Sequence, residues 1–339
     1  RSEVIRNIED VYVKPLGSIE EEVAKLVKKL GSGGLVFVPL DKGVDYASKL
    51  VDVLRGEGLR VELVYAKGRR KVVESFAKGE VDVLVGMASY YGLLVRGLDL
   101  PERIRYAVFA GVPKMRFTLE LSEAYPSRVL QLLVDVKDAL PPDEQGLALR
   151  LIGRVRRILW RLTPASFREL KRALSEGVEP PRWLRSAHAT VKEAAEFLIK
   201  ALSRSEVKER LRKTAYLTLE EAEGRLTVTV PDVPTYIQAS GRTSRMYAGG
   251  VSKGLSVVVV DDEKVFTGLA RQTRWLVDEA KWRELSEVDL DAVLREVDAD
   301  RERIRKLLSG EVAVEGFDPV KSVLLIVCLL YTSDAADDG

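Results

Sequence analysis

Five short apolar runs separated by helical segments restrict the fold of this chain more than any other feature of its sequence. They occupy residues 35–38, 61–64, 81–85, 106–109 and 255–260. Each is apolar at nearly every position, not at every second one, and rich in valine. Such runs suit strands buried on both faces, as in a parallel sheet covered by helices. Between them lie helical patterns such as residues 44–54, where Leu50, Val51 and Leu54 share a face and Gly56 reads as the C-terminal cap. The expected class is α/β, a doubly wound parallel sheet.

Between the fourth and fifth runs the alternation stops. Residues 117–224 read as helix, broken at Pro141-Pro142, Thr163-Pro164 and Pro180-Pro181. That length is too great for a loop and predicts a mostly helical inserted domain. Within it Thr163 suits an N-cap, Pro164 the first helical position and Gly177 the stop. The alternating stretch Leu226-Thr227-Val228-Thr229-Val230 is expected to return the chain to the sheet. Residues 1–18 read as a linker, 19–116 with 225–275 as the α/β lobe, and 276–318 as a charged helical connector. A new strand is expected over 319–327. Residues 328–339 share no pattern with what precedes them and read as a non-native tail.

Composition narrows the chemistry. The only cysteine is Cys328 and the only histidine His188. Disulfides, Cys/His zinc sites and Ser-His or Cys-His nucleophiles therefore lack their parts. His188 itself reads as an ordinary surface or helix-start residue. No apolar stretch reaches the roughly 18 residues of a membrane span, and the first residues lack the order of a signal peptide, so the cytoplasm is the expected compartment. One Asn, four Gln and three Met beside abundant charged residues suit a hot-environment source. The net charge of +2 conceals an uneven distribution: residues 144–213 carry 17 Lys/Arg against 8 Glu and no Asp. This local basic surface suggests an anionic partner or a solvated helical face.

Three segments at the carboxyl ends of predicted strands carry the chemistry, the edge where such sheets bind ligands. The first is Val38-Pro39-Leu40-Asp41-Lys42-Gly43, where turn amides and the Lys42 ammonium suit a phosphate. The second is Gly86-Met87-Ala88-Ser89-Tyr90-Tyr91-Gly92-Leu93-Leu94-Val95-Arg96-Gly97-Leu98-Asp99-Leu100-Pro101. Here Gly97 permits a tight turn, and Asp99 can accept from a ribose hydroxyl or a partner arginine. A local Arg96–Asp99 ion pair is the plainer alternative. The third is Tyr236-Ile237-Gln238-Ala239-Ser240-Gly241-Arg242-Thr243-Ser244-Arg245. Two arginines three apart are read as opening a helix after Gly241, on one face, where two guanidinium forks can reach one phosphate.

The third segment resembles the last motif of superfamily-two helicases, and Arg96-Gly97-Leu98-Asp99 resembles the motif before it. The longer run from Ala88 to Pro101, and the stretch from Pro234 to Gly250, resemble those of reverse gyrases. An insert within the second motor lobe, called the latch in that family, also agrees. So does Val323-Leu324-Leu325-Ile326-Val327, which looks like the first strand of their Toprim domain, although the acidic residue expected after Val327 is absent.

The resemblance implies a RecA-like second motor lobe of an ATP-dependent type IA topoisomerase that introduces positive supercoils. It implies Arg242 and Arg245 as catalytic fingers, and Gly97, Asp99, Gln238 and Gly241 at the nucleotide. Pro39, Lys42, Ser89 and Arg96 would lie at the DNA. ATP and Mg2+ would be shared with a first lobe, and DNA, that lobe and the topoisomerase domain would be the partners. No Gly-x-x-x-x-Gly-Lys-Ser/Thr occurs, so these residues alone are expected to hydrolyse no ATP. An ordinary superfamily-two helicase lobe is the alternative. A Rossmann-type binder is disfavoured, because no Gly-x-Gly-x-x-Gly follows the first run.

In the insert, Arg150, Arg154, Arg157 and Arg161 recur opposite a stripe of Leu151, Val155, Ile158, Leu159 and Leu162. A DNA contact, a dock onto an acidic topoisomerase surface and a solvated face all remain open. Trp160 and Trp183 read as core, and Asp261-Asp262-Glu263 is discounted as a magnesium motif because no phosphate loop precedes it.

Overall fold

The computed structural model describes residues 6–65, 69–89, 92–96, 98–118, 125–222, 225–247, 250–277 and 280–311. The expected Toprim strand and the tail lie outside them. The chain divides into two compact units, one formed by Arg1–Pro113 with Asp232–Gly339, the other by Lys114–Pro231.

The first unit is an α/β lobe. Its strands are β1 (Asn7–Val13), β2 (Gly34–Pro39), β3 (Val61–Leu63), β4 (Val83–Ala88) and β5 (Tyr106–Phe109), then, beyond the second unit, β11 (Lys253–Val259) and β12 (Arg283–Glu284). They form one seven-stranded sheet in the order β12-β1-β11-β5-β2-β4-β3. Every pairing in it is parallel. β2 is buried at all six residues. Val36 and Val38 enter the core on one face, Leu35 and Phe37 that on the other. This two-sided burial is why the run is continuously apolar. Helices α1 (Ile19–Leu30), α2 (Gly43–Gly56), α3 (Arg69–Ala77) and α4 (Leu93–Arg96) follow the early strands, and α10 (Val233–Ser240), α11 (Glu263–Leu276) and α12 (Leu290–Leu308) the later part. α1 opens on a capping box between Ser18 and Glu21. Gly56 is the last residue of α2 and not its cap; Gly58, at φ 84°, takes the left-handed conformation two residues later.

Residues 7–13, read as linker, form β1, second from one edge of the order, paired with β11 from Asn7↔Lys253 to Val13↔Val259. Glu9 and Asp10 break the apolar run and hide the strand from a reading by hydropathy. Both carboxylates are compensated in three dimensions. Glu9 accepts from Lys253 Nζ at 3.0 Å and Arg283 Nε at 2.8 Å, and Asp10 from Arg6 Nη2 at 2.6 Å. The connector likewise contributes β12, which pairs with β1.

The second unit contains α5 (Pro126–Val136), α6 (Pro142–Arg161), α7 (Pro164–Glu176), α8 (Arg185–Leu202) and α9 (Ser205–Lys213). Val129, Leu133, Leu151, Val155, Val191, Leu198 and Leu211 pack into its core. Thr163 caps α7, with Pro164 at its first position, and Gly177 ends it at φ 66°. The unit is not wholly helical. β6 (Lys114–Thr118), β7 (Thr218–Ala222) and β8 (Arg225–Pro231) make an antiparallel sheet in the order β6-β8-β7. Residues 226–230 therefore join this sheet and not the seven-stranded one. Their alternation is the pattern of a sheet packed on one face, with Val228 and Val230 buried in the helical core. A short pair, β9 (Met246–Tyr247) and β10 (Gly250–Val251), belongs to the first unit.

Candidate functional site

The carboxyl edge of the parallel sheet gathers the segments singled out by sequence. Pro39, the last residue of β2, is buried, and beyond it Leu40–Lys42 form a 3-10 turn that ends on Gly43 at φ 78°. Lys42 Nζ stands 4.6 Å from the Tyr46 ring centroid and 3.7 Å from Asp261 Oδ2. Asp261 in turn accepts from the Val112 amide at 2.8 Å. Gly111, at φ 124°, is required there, since a Cβ would lie 2.7 Å from Asp261 Oδ2. Asp262 caps α11 by accepting from the Val265 amide, and Glu263 pairs with Lys14. The acidic triplet thus has structural partners. No group of three or more metal-ligating side chains occurs among the described residues.

Beyond β4 the backbone turns through Ser89, whose carbonyl accepts from the Gly92 amide at 2.7 Å, into the single-turn helix α4 that ends at Arg96. Gly97 lies outside the described residues. Leu98 is buried, while the Asp99 side chain is 73% exposed.

The third segment differs from the sequence reading. Gln238, exposed, belongs to the end of α10, and the arginines do not open a helix. Gly241–Thr243 form a 3-10 turn carrying Arg242, and Arg245 follows it beyond the extended Ser244. Even so, both guanidiniums converge on the second segment. Arg242 donates from Nε to the Val95 carbonyl at 2.6 Å and from Nη1 to the Leu98 carbonyl at 2.8 Å. Arg245 donates from Nε to Asp99 Oδ1 at 3.0 Å and from Nη1 to the Gly241 carbonyl at 2.6 Å. Of the two donors open to Asp99 in the sequence reading, the one present is an arginine.

Several residues that hold this arrangement were not singled out. Tyr236 is fully buried, and its hydroxyl donates to Asp10 Oδ1 at 2.5 Å and lies 3.0 Å from Ser256 Oγ. Its ring packs between Phe109 and Trp282. Burial pushes the Tyr236 hydroxyl well above its ordinary value and raises the Asp10 carboxyl too, against the opposing pull of Arg6. From α12, Arg301 is 1% exposed and donates to the carbonyls of Ile104 at 2.6 Å, Thr243 at 2.5 Å and Lys253 at 3.0 Å. Burial lowers its guanidinium to about 10, so it stays charged near neutral pH. Neither Asp10, beside Glu9 in a stretch too polar to read as a strand, nor Arg301 gave a sequence signal.

In the second unit, Arg150, Arg157 and Arg161 are exposed on α6. Arg154 is turned to α8, donating to Glu193 at 2.8 Å and Thr190 at 3.1 Å, and Arg156 is exposed instead. Trp160 and Trp183 are not core: they are 89% and 63% exposed.

A seven-stranded parallel sheet, with a Gly-Arg-x-x-Arg segment bonded to residues that follow β4, defines a RecA-like lobe of the superfamily-two helicase type. Solved structures similar to it include the C-terminal domain of the DEAD-box protein Dbp5, with TM-score 0.40 and 15% identity over 87% of this chain and 99% of that one. Another is S. cerevisiae Dbp5 bound to RNA and ADP BeF3, with TM-score 0.43 and 14% identity over 88% of this chain and 46% of that one. Along nearly its whole length the chain is homologous to reverse gyrases. It is 46% identical over 324 residues to the reverse gyrase of Pyrococcus horikoshii, 46% over 324 to that of Pyrococcus furiosus and 44% over 323 to reverse gyrase 1 of Aeropyrum pernix. These alignments cover 96%, 96% and 95% of this chain but 20%, 27% and 23% of the relatives' own lengths. No protein-family model matches the chain.

Proposed function

We propose that the chain supplies the second motor lobe and the latch of a reverse gyrase, an ATP-dependent type IA DNA topoisomerase that introduces positive supercoils. Its partners would be DNA and the first helicase lobe and topoisomerase domain of the same polypeptide. The observation that carries the reading is the convergence of Arg242 and Arg245 on residues 95–99, which makes one device of two motifs well over a hundred residues apart. Planar guanidiniums beside a carboxylate suit the phosphate and ribose of a nucleotide, so the donor set fits ATP. ATP, with Mg2+ and the first lobe, supplies the phosphoanhydride hydrolysis that drives the motor.

The two arginines divide the work. Arg242, held by two backbone carbonyls, braces the turn after β4. Arg245 splits its donors between the Gly241 backbone carbonyl and a carboxylate that is 73% exposed, the latter a weak bond in water, so its Nε end is the part that can be given up to the terminal phosphate. A guanidinium aimed there stabilises the charge that builds in the transition state more than the ground state. Gly97, Asp99, Gln238 and Gly241 would be the other residues at the nucleotide. Pro39, Lys42, Ser89 and Arg96, in the segments that follow β2 and β4, would be the residues that meet DNA. No described helix is long and apolar enough to cross a membrane.

In the complete enzyme, Arg245→Ala is expected to lower DNA-stimulated ATP turnover by about 10³-fold or more, as for arginine fingers elsewhere, and to abolish positive supercoiling. Relaxation of negatively supercoiled DNA should survive. Arg245→Lys should rescue poorly, because an ammonium lacks the planar fork. Near-normal hydrolysis by folded Arg245→Ala at saturating DNA would sink the assignment.

A further inference from the structure

Two adjacent residues of α12 reach the segment that carries Arg245. Arg301 donates from Nη2 to the carbonyls of Thr243 at 2.5 Å and Lys253 at 3.0 Å, and Asp300 Oδ2 accepts from the Lys253 amide at 2.7 Å. Both backbone groups of Lys253 are thus held by α12. Its neighbour Ser252 is bonded in turn to the backbone of Arg245. The Ser252 amide donates to the Arg245 carbonyl, and the Arg245 amide donates to Ser252 Oγ, each at 2.9 Å. Between these points the chain runs out and back through β9 and β10, where the Tyr247 hydroxyl donates to Asp300 Oδ1 at 3.3 Å. Residues 243–253 are therefore anchored at their start, middle and end by Asp300 and Arg301.

We propose that Asp300 and Arg301 are positioning residues for Arg245, so that ATP turnover depends on the seating of α12 against the lobe. The proposal rests on the reading of Arg245 as the residue that reaches the terminal phosphate. Stability alone does not explain the pair. Arg301 is 1% exposed, and its Nη1 is buried without an acceptor among the described residues. An apolar side chain of similar volume often serves stability as well as a buried charge does, or better. What the guanidinium adds is direction, because donors in one rigid plane fix several carbonyls relative to one another. Two of those carbonyls flank Arg245, and the third, of Ile104, refers them to the start of β5. The bond from Arg245 Nε to the exposed Asp99 is too weak to place the side chain by itself, so its placement falls to the anchors of its backbone. A catalytic group misplaced by about 1 Å can lose about 100-fold in rate.

The test is a double-mutant cycle in the complete enzyme, made of Arg301→Met, Arg245→Ala and the two combined. Hydrolysis of radiolabelled ATP is measured at saturating DNA, below the unfolding midpoint of each variant. Arg301→Met is expected to lower kcat by about 10- to 100-fold, while KM for ATP moves by less than about twofold. In the Arg245→Ala background the same substitution should cost less than about twofold, because its effect passes through a side chain already removed. Asp300→Asn keeps the shape of its side chain; it should lower kcat too, lose its effect in the same background, and carry the test if Arg301→Met does not fold. An unchanged kcat in the folded variant, or losses that multiply across the cycle, overturn the proposal and leave α12 a support of the fold, with the finger reading of Arg245 intact. Near-normal turnover by Arg245→Ala alone overturns that reading and the proposal with it.

Discussion

Asp82, just before β4, accepts from Arg60 at its amide (3.1 Å), Nε (2.9 Å) and Nη2 (2.7 Å). The Arg60 guanidinium is the main reason its carboxyl falls to about 2, against an ordinary 3.8. A carboxyl whose pKa is lower in the folded state contributes stability in full above its unfolded value and loses it as pH falls through the folded one. Arg60 is well exposed, so screening holds the contribution to about 1 kcal/mol. Asp82→Asn should lower stability by about that near pH 7, with the gap closing as denaturant titrations are taken down towards pH 3. A gap independent of pH would exclude the charge as its cause. Gly254 on β11 is a second sensitive residue. A Cβ there would lie 2.2 Å from Thr243 Oγ1 and 2.5 Å from the Thr243 carbonyl oxygen, against the turn that carries Arg242. Gly254→Ala is expected to cost about 1–3 kcal/mol by overpacking and to reduce ATP turnover in the complete enzyme. Unaltered stability would mean that the turn yields freely.

Among the elements, the connector has more than a spacing role. α12 sends Arg301 into the lobe, where it ties the carbonyls of residues 104, 243 and 253 together, and β12 extends the sheet beside β1. By contrast, the chain leaves the lobe at Pro113 and returns at Asp232, and the Asp232 amide donates to the Pro113 carbonyl at 2.8 Å. Everything between can be removed without taking a strand from the seven-stranded sheet. A chain lacking Lys114–Pro231, closed by a short Gly/Ser bridge, is therefore expected to fold as the lobe. A cooperative thermal transition with α/β circular dichroism would bear this out. A collapsed or aggregating product would show that the lobe depends on the second unit.

In the whole molecule, the same excision separates motor from outcome: ATP hydrolysis by the complete enzyme should persist while positive supercoiling is largely lost. Gel assays of linking number decide it, and supercoiling equal to the parent would deny the second unit a coupling role. Much of this organisation was legible beforehand. Residues 35–38, 81–85, 106–109 and 255–260 announced a buried parallel sheet, because a strand covered on both faces must be apolar at nearly every position. Gly241, Arg242 and Arg245 were singled out by type and spacing together with the resemblance to a helicase motif. Thr163, Pro164 and Gly177 declared the ends of α7, because a cap is satisfied within a few residues of itself. What remained hidden depends on partners far along the chain. β1 was missed because Glu9 and Asp10 are tolerated in a sheet only once Lys253, Arg283, Arg6 and Tyr236 close around them. The departure of Arg154 from its row depends on Glu193 of a different helix. The exposure of Trp160 depends on which face of α6 the core of the second unit takes. Arg242 finds its carbonyls at Val95 and Leu98, well over a hundred residues away. Sequence by itself determined which segments must be buried, since periodicity records the burial of a segment's own faces. Only the tertiary structure decided which charge meets which partner, since that follows from how distant segments are brought together.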